Sequence, residues 1–151
     1  MTNGATIALS GLIQQPVWGV EITIGTRLSM EFGEEMPRKP KHRHSHGRWH
    51  LLFLNCHWRV EDRKSILVGS DDDDLGDRIA KLQFGKVTKV QLSQPTNDLE
   101  IVFDENLRLT TFLTYSSISS ESRQWYLFCP DDVVCVAEGG GELVLKSSHD
   151  T

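Results

Sequence analysis

"WHLLFLNCHWRVED", residues 49–62, is the stretch on which the fold turns. Side chains alternate across an extended chain, so Trp49, Leu51, Phe53, Asn55, His57 and Arg59 share one face. Leu52, Leu54, Cys56, Trp58 and Val60 share the other. The second face is wholly apolar. One long strand is therefore expected, with that face in the core and His57 and Arg59 turned outward. Trp49 shares their face and is the one candidate for a partner-facing aromatic, although core is the default place for a tryptophan.

The same period of two recurs on both sides. Upstream, "VWGVEITI" alternates Val20, Ile22 and Ile24 with Glu21 and Thr23. After a turn at Gly25-Thr26, Leu28, Met30 and Phe32 oppose Arg27, Ser29 and Glu31. Downstream, "SILVGS" and "GKVTKVQLS" read as strands, and "LEIVFD" and "LRLTTFLTYS" form a hairpin about "DEN". "QWYLFCP", "VVCVAEG" and "GGGELVLKS" complete the series. One helix is expected within residues 71–83, where Leu75, Ile79 and Leu82 fall at helical spacing. Ser70 or an early aspartate is its expected N-cap. Together these predict a mainly β (α+β) fold: an antiparallel bent sheet, roll or sandwich of about eight strands with one short helix. Trp58, Leu52, Leu54, Phe103, Leu109, Trp125 and Leu127 are the expected core.

The 151 residues suit a single domain, 1–151. Residues 34–48 read as an exposed polar loop, and 147–151 as a flexible tail. Hydrophobic residues are 38% and charged residues 25%, ordinary for a globular domain. The formal net charge of −5 argues against a nucleic-acid partner and suits a basic protein surface. Uninterrupted apolar runs such as Leu51–Leu54 are too short to cross a bilayer, so no membrane partner is expected. The N-terminal residues lack the basic start of a signal peptide. Cys56, Cys129 and Cys135 are odd in number without CxxC spacing, which reads as reduced thiols in a cytoplasmic protein.

"KHRHSHGRWH", residues 41–50, holds four of the six histidines. His42, His44 and His46 would share a side of an extended segment, and His50 and His57 could add a ligand for zinc, nickel or copper. Against this, Arg38, Lys39, Lys41, Arg43 and Arg48 oppose a divalent cation, and the prolines imply a mobile loop. A solvated, charged loop is the favoured reading, with no native metal site and no cofactor. The cupin pattern fails because no glutamate stands at cupin spacing downstream and no second histidine motif follows. Asp71–Asp74 are contiguous, unlike the alternating ligands of a calcium loop, and read as a solvated helix start. No nucleophile elbow, phosphate loop, HExxH or dinucleotide fingerprint is present, so no catalytic residue is expected.

The glycine-rich β start, the "WHLLFLNCHWR" strand, the "GS" after it and the "LEIVFD…LRL" hairpin resemble small bacterial β-rich proteins. Some proteins of that look are encoded beside polymorphic toxins and are thought to act as immunity proteins. The resemblance spans roughly residues 17–130 and implies a compact acidic binder with no catalytic residue. The expected function is accordingly a small cytoplasmic binding protein with a protein partner, possessing no catalytic activity. Arg43, Arg48, Trp49, His57 and Arg59 are the expected partner-binding residues. The alternative is a metal-dependent or small-molecule-binding β-roll enzyme using the His42–His57 region.

Overall fold

The computed structural model describes residues 3–38, 40, 45–112, 123–138 and 143–147. Among these are eleven strands and two helices. In chain order they are α1 (Asn3–Ser10), β1 (Val17–Ile22), β2 (Leu28–Glu35), β3 (Gly47–Phe53), β4 (His57–Glu61), β5 (Ile66–Gly69) and α2 (Leu75–Ala80). Then come β6 (Val87–Ser93), β7 (Asp98–Phe103), β8 (Arg108–Phe112), β9 (Trp125–Cys129), β10 (Val133–Ala137) and β11 (Leu143–Ser147). The strands form two sheets, ordered β1-β2-β3-β9-β10-β11 and β5-β4-β8-β7-β6. Every pairing between them is antiparallel. The mainly β expectation is therefore met, with more and shorter strands.

One core cluster takes residues from both sheets. Met30, Phe32, Leu51, Phe53, Trp125 and Leu127 come from the first, and Trp58, Val60, Leu99, Ile101 and Leu109 from the second. Two indoles tie loops to it. Trp58 Nε1 donates to the Thr26 carbonyl at 2.8 Å, and Trp125 Nε1 donates to that of Asn97 at 3.1 Å. A buried indole N–H needs such an acceptor, because leaving it unpaired would cost its hydration.

The stretch 49–62 departs from its expected form. It is two strands in different sheets, broken over residues 54–56. Leu54 N–H donates to the Gln124 carbonyl there, and Asn55 Nδ2 to that of Arg123. The break inverts the alternation. Trp49, Leu51 and Phe53 face the core from β3, whereas Trp58 and Val60 face it from β4. Leu52 and Leu54 are thus only half-buried, while Trp58, Phe103, Leu109, Trp125 and Leu127 are buried as expected.

α1 is a helix that the periodicity of the sequence does not predict. It carries no acidic first turn and no basic last turn, and it is held by burying Ala5 and Leu9, with Leu12 just after it. Such a short helix is stabilised by packing rather than propensity. α2 lies where expected, but Asp74 precedes it at φ 56° without a side-chain cap. Ser70 instead accepts the Trp58 backbone N–H through its Oγ. Finally, the loop expected at 34–48 is shorter. Glu34 and Glu35 extend β2, Gly47 and Arg48 begin β3, and Met36 N–H bonds the His46 carbonyl. The tail expected at 147–151 begins inside β11 at Ser147, and its remainder lies outside the described residues.

Candidate functional site

Every residue of β2 from Leu28 to Gly33 is buried, so both its faces are covered. Leu28, Met30 and Phe32 face the core. Ser29 and Glu31 take the other face, and Glu31, a carboxylate, is only 5% exposed. A buried charge must be paired and hydrogen-bonded. The register supplies the partners. Glu31 lies directly across from His50 on β3, and cross-strand neighbours share a face.

Glu31 Oε2 lies 2.5 Å from His50 Nδ1 and 3.1 Å from His46 Nδ1. Its Oε1 accepts the Gly47 backbone N–H at 2.9 Å. A carboxylate can only accept, so both rings present Nδ1–H to it. The two imidazoles meet edge to face with centroids 4.9 Å apart, and His50 also lies against Phe128 at 5.7 Å. Burial pushes the Glu31 carboxyl upward in pKa. The hydrogen bond and charge of His50, the Gly47 N–H and His46 together outweigh it and hold the group below its ordinary 4.5.

Two irregularities make room for this cluster. Between Phe32 and Glu35, β2 carries one residue more than β3 opposes, with Gly33 at φ 81°. Such a bulge re-aims neighbouring side chains, and here it brings Gly47 and His46 over Glu31. On the β1 side the register slips between Trp18 and Glu21, where Gly19 sits at φ 58°. A Cβ on Gly19 would stand 2.9 Å from Glu31 Cγ. Trp18 Nε1 closes the corner by donating to the Gly33 carbonyl. An open cleft of about 380 Å³ results, lined by Trp18, Glu21, Glu31, Glu35, Arg38 and His46 among others.

The depressed carboxyl of Glu31 has a measurable consequence. The folded chain binds the proton less readily than the unfolded one. Its ionised form therefore stabilises the fold fully above about pH 4.5, and that contribution is lost as pH falls through the lower folded value. Glu31→Gln keeps the shape and removes the charge. It should cost about 1–3 kcal/mol at pH 5.5, the usual range for disrupting a buried hydrogen-bonded group. The difference from wild type should shrink at pH 3. Urea unfolding at the two pH values tests this, and a difference independent of pH contradicts it.

The second candidate surface is the outer face of the other sheet. His57 and Arg59 of β4 lie beside Phe112 of β8. The His57 ring stacks on Phe112 with centroids 5.8 Å apart at 21°, and the Arg59 guanidinium stands 5.3 Å from the same ring. Around them Arg108 pairs with Glu61 at 3.1 Å and with Glu100 at 3.6 Å. A shallow groove of about 280 Å³ runs between Arg59, Gln91, Asp98, Glu100 and Phe112. Within it, among the described residues, Arg59 Nε and Asp98 Oδ1 are shielded from solvent without a hydrogen-bond partner. Arg59 Nε is 3.7 Å from Glu61 Oε1, too far for such a bond.

The expected partner-binding residues are thus divided. His57 and Arg59 stay together on this face. Trp49 does not share it. It packs against the core beside Gly11 and Gly33, with the Arg48 guanidinium 5.5 Å from its ring. Arg43, His42 and His44 lie outside the described residues. Glu31 escaped notice as a site residue because its partners are 15 and 19 positions away, joined only by strand register. Asp71–Asp74 are exposed, and Asp72 Oδ2 accepts the Gly69 N–H. The cysteines are free, and burial raises the thiol pKa of Cys56 and Cys135 to about 12 and of Cys129 to about 11. At neutral pH they remain protonated and poorly nucleophilic.

The fold and these surfaces define a two-sheet β protein with a buried carboxylate–imidazole cluster on one sheet and an open polar face on the other. In comparisons with protein-family models, curated proteins and solved structures, nothing matches the chain. Among the described residues no helix is long and apolar enough to cross a membrane.

Proposed function

We propose that the chain is a small cytoplasmic binding protein without catalytic activity, an immunity-type partner of a bacterial toxin. It engages a protein partner through the outer face of the sheet β5-β4-β8-β7-β6. The observation that carries the reading is Phe112 flanked by His57 and Arg59. Aromatic and arginine side chains are the groups that most often dominate protein–protein binding energy. Arg59 Nε and Asp98 Oδ1, which donate or accept no hydrogen bond among the described residues, are polar atoms that an incoming backbone or side chain can satisfy. The net charge of −5 favours encounter with a basic partner. The immunity role rests on the sequence resemblance alone.

The test is affinity capture from the native host with three baits: wild type, Arg59→Ala/Phe112→Ala, and Lys81→Ala as a control on exposed surface. A partner retained by wild type and Lys81→Ala, and lost from the folded double variant, is the expected result. That partner should be toxic when expressed alone and tolerated when co-expressed with this chain. Capture unaffected by the double substitution, or no specific capture at all, overturns the reading.

A further inference from the structure

Glu31, His46 and His50 each offer one ligand atom, and these atoms all lie within 4.8 Å of one another. The binding face proposed above makes no use of them. We propose that this cluster is a divalent transition-metal site of the zinc class, with two imidazole nitrogens and one carboxylate oxygen as protein ligands.

The donor set is the first argument. Imidazole and carboxylate together suit zinc and its borderline neighbours, whereas calcium and magnesium take oxygen ligands. Position is the second. Glu31 and His50 are held on paired strands by sheet register, so two of the three ligands need little ordering on binding. The third, His46, sits beside Gly47, whose N–H fixes the other carboxylate oxygen. That bond is the outer support that metal-ligating carboxylates usually have.

Access and charge complete the case. The cleft opens over the cluster and leaves a way in for the ion and for water as a further ligand. In sequence, Arg38, Lys39, Lys41, Arg43 and Arg48 surround these histidines and oppose a divalent cation. Within the cleft, the described lining residues include three carboxylates, Glu21, Glu31 and Glu35, against the single guanidinium of Arg38. The charge of the described lining therefore favours a cation. On binding, each coordinating nitrogen gives up its hydrogen, and the neutral ring carries it on the other nitrogen. The ion then replaces the two Nδ1–H bonds to Glu31 Oε2.

Tag-free full chain titrated with zinc chloride by calorimetry at pH 7.5 tests the proposal. Cobalt(II) absorption reports the coordination geometry independently. One ion per chain is expected, with a rise in Tm of about 5 °C or more at a hundredfold excess over Kd. Glu31→Gln and His50→Ala should each weaken binding at least about tenfold. A chain with His42→Ser and His44→Ser should bind as wild type does, which separates this cluster from the neighbouring histidines. Should His50→Ala fail to fold, Glu31→Gln and the wild-type stoichiometry still decide. Absence of stoichiometric binding overturns the proposal. So does binding that survives Glu31→Gln and His50→Ala but disappears with His42→Ser and His44→Ser.

Discussion

Trp58→Ala is expected to lower the free energy of unfolding by about 3–5 kcal/mol. Trp58 is 1% exposed and among the largest fully buried side chains. Its removal leaves a cavity that the surrounding sheets cannot close, because strand register holds β4 between β5 and β8. It also strands the Thr26 carbonyl, which loses the indole N–H it accepts at 2.8 Å. For a chain of this size the Tm should fall by about 10 °C. Urea unfolding of the variant measures the cost. A loss below about 1 kcal/mol would mean that Trp58 is not packed in the shared core as described.

Gly47→Ala is the second large effect. A Cβ at Gly47 would stand 2.9 Å from the Phe32 nitrogen and closer still to the Phe32 carbonyl oxygen. Both are backbone atoms in the middle of β2, so no side-chain rotation relieves the clash. The strand must move, or the bulge between Phe32 and Glu35 must open. Overpacking of this kind costs about 2–3 kcal/mol. The same shift withdraws the Gly47 N–H from Glu31 Oε1 and carries His46 with it. Unfolding measurements should therefore show a loss of stability from one added methyl group, with weaker zinc binding in parallel. Normal stability in Gly47→Ala would show that β2 and β3 do not approach so closely there.

The contrast between Leu52 and Trp58 shows where the sequence becomes ambiguous. Both belong to one apolar set when residues 49–62 are read as a single strand. Strand period and apolar content mark the extended segments, since each segment must hide one face on its own account. They do not mark a crossing from sheet to sheet. The chain crosses at residues 54–56 while its apolar run continues, and the odd set of β3 and the even set of β4 reach the same core. α1 was missed for a related reason. Ala5, Leu9 and Leu12 become a helix face only once the sheets they pack on are in place.

Local pattern by itself determined the mainly β class, most of the strands, the short helix at Leu75–Ala80 and the burial of Trp58, Trp125 and Leu127. These depend on interactions between near neighbours in sequence and on each segment's own need to bury apolar surface. Tertiary structure alone decided the two-sheet division and the meeting of Glu31 with His46 and His50. That meeting depends on which residues stand opposite across a strand pair. Register is set by bulges at Gly33 and near Gly19 and by the packing of both sheets, long-range constraints that leave no local spacing to read.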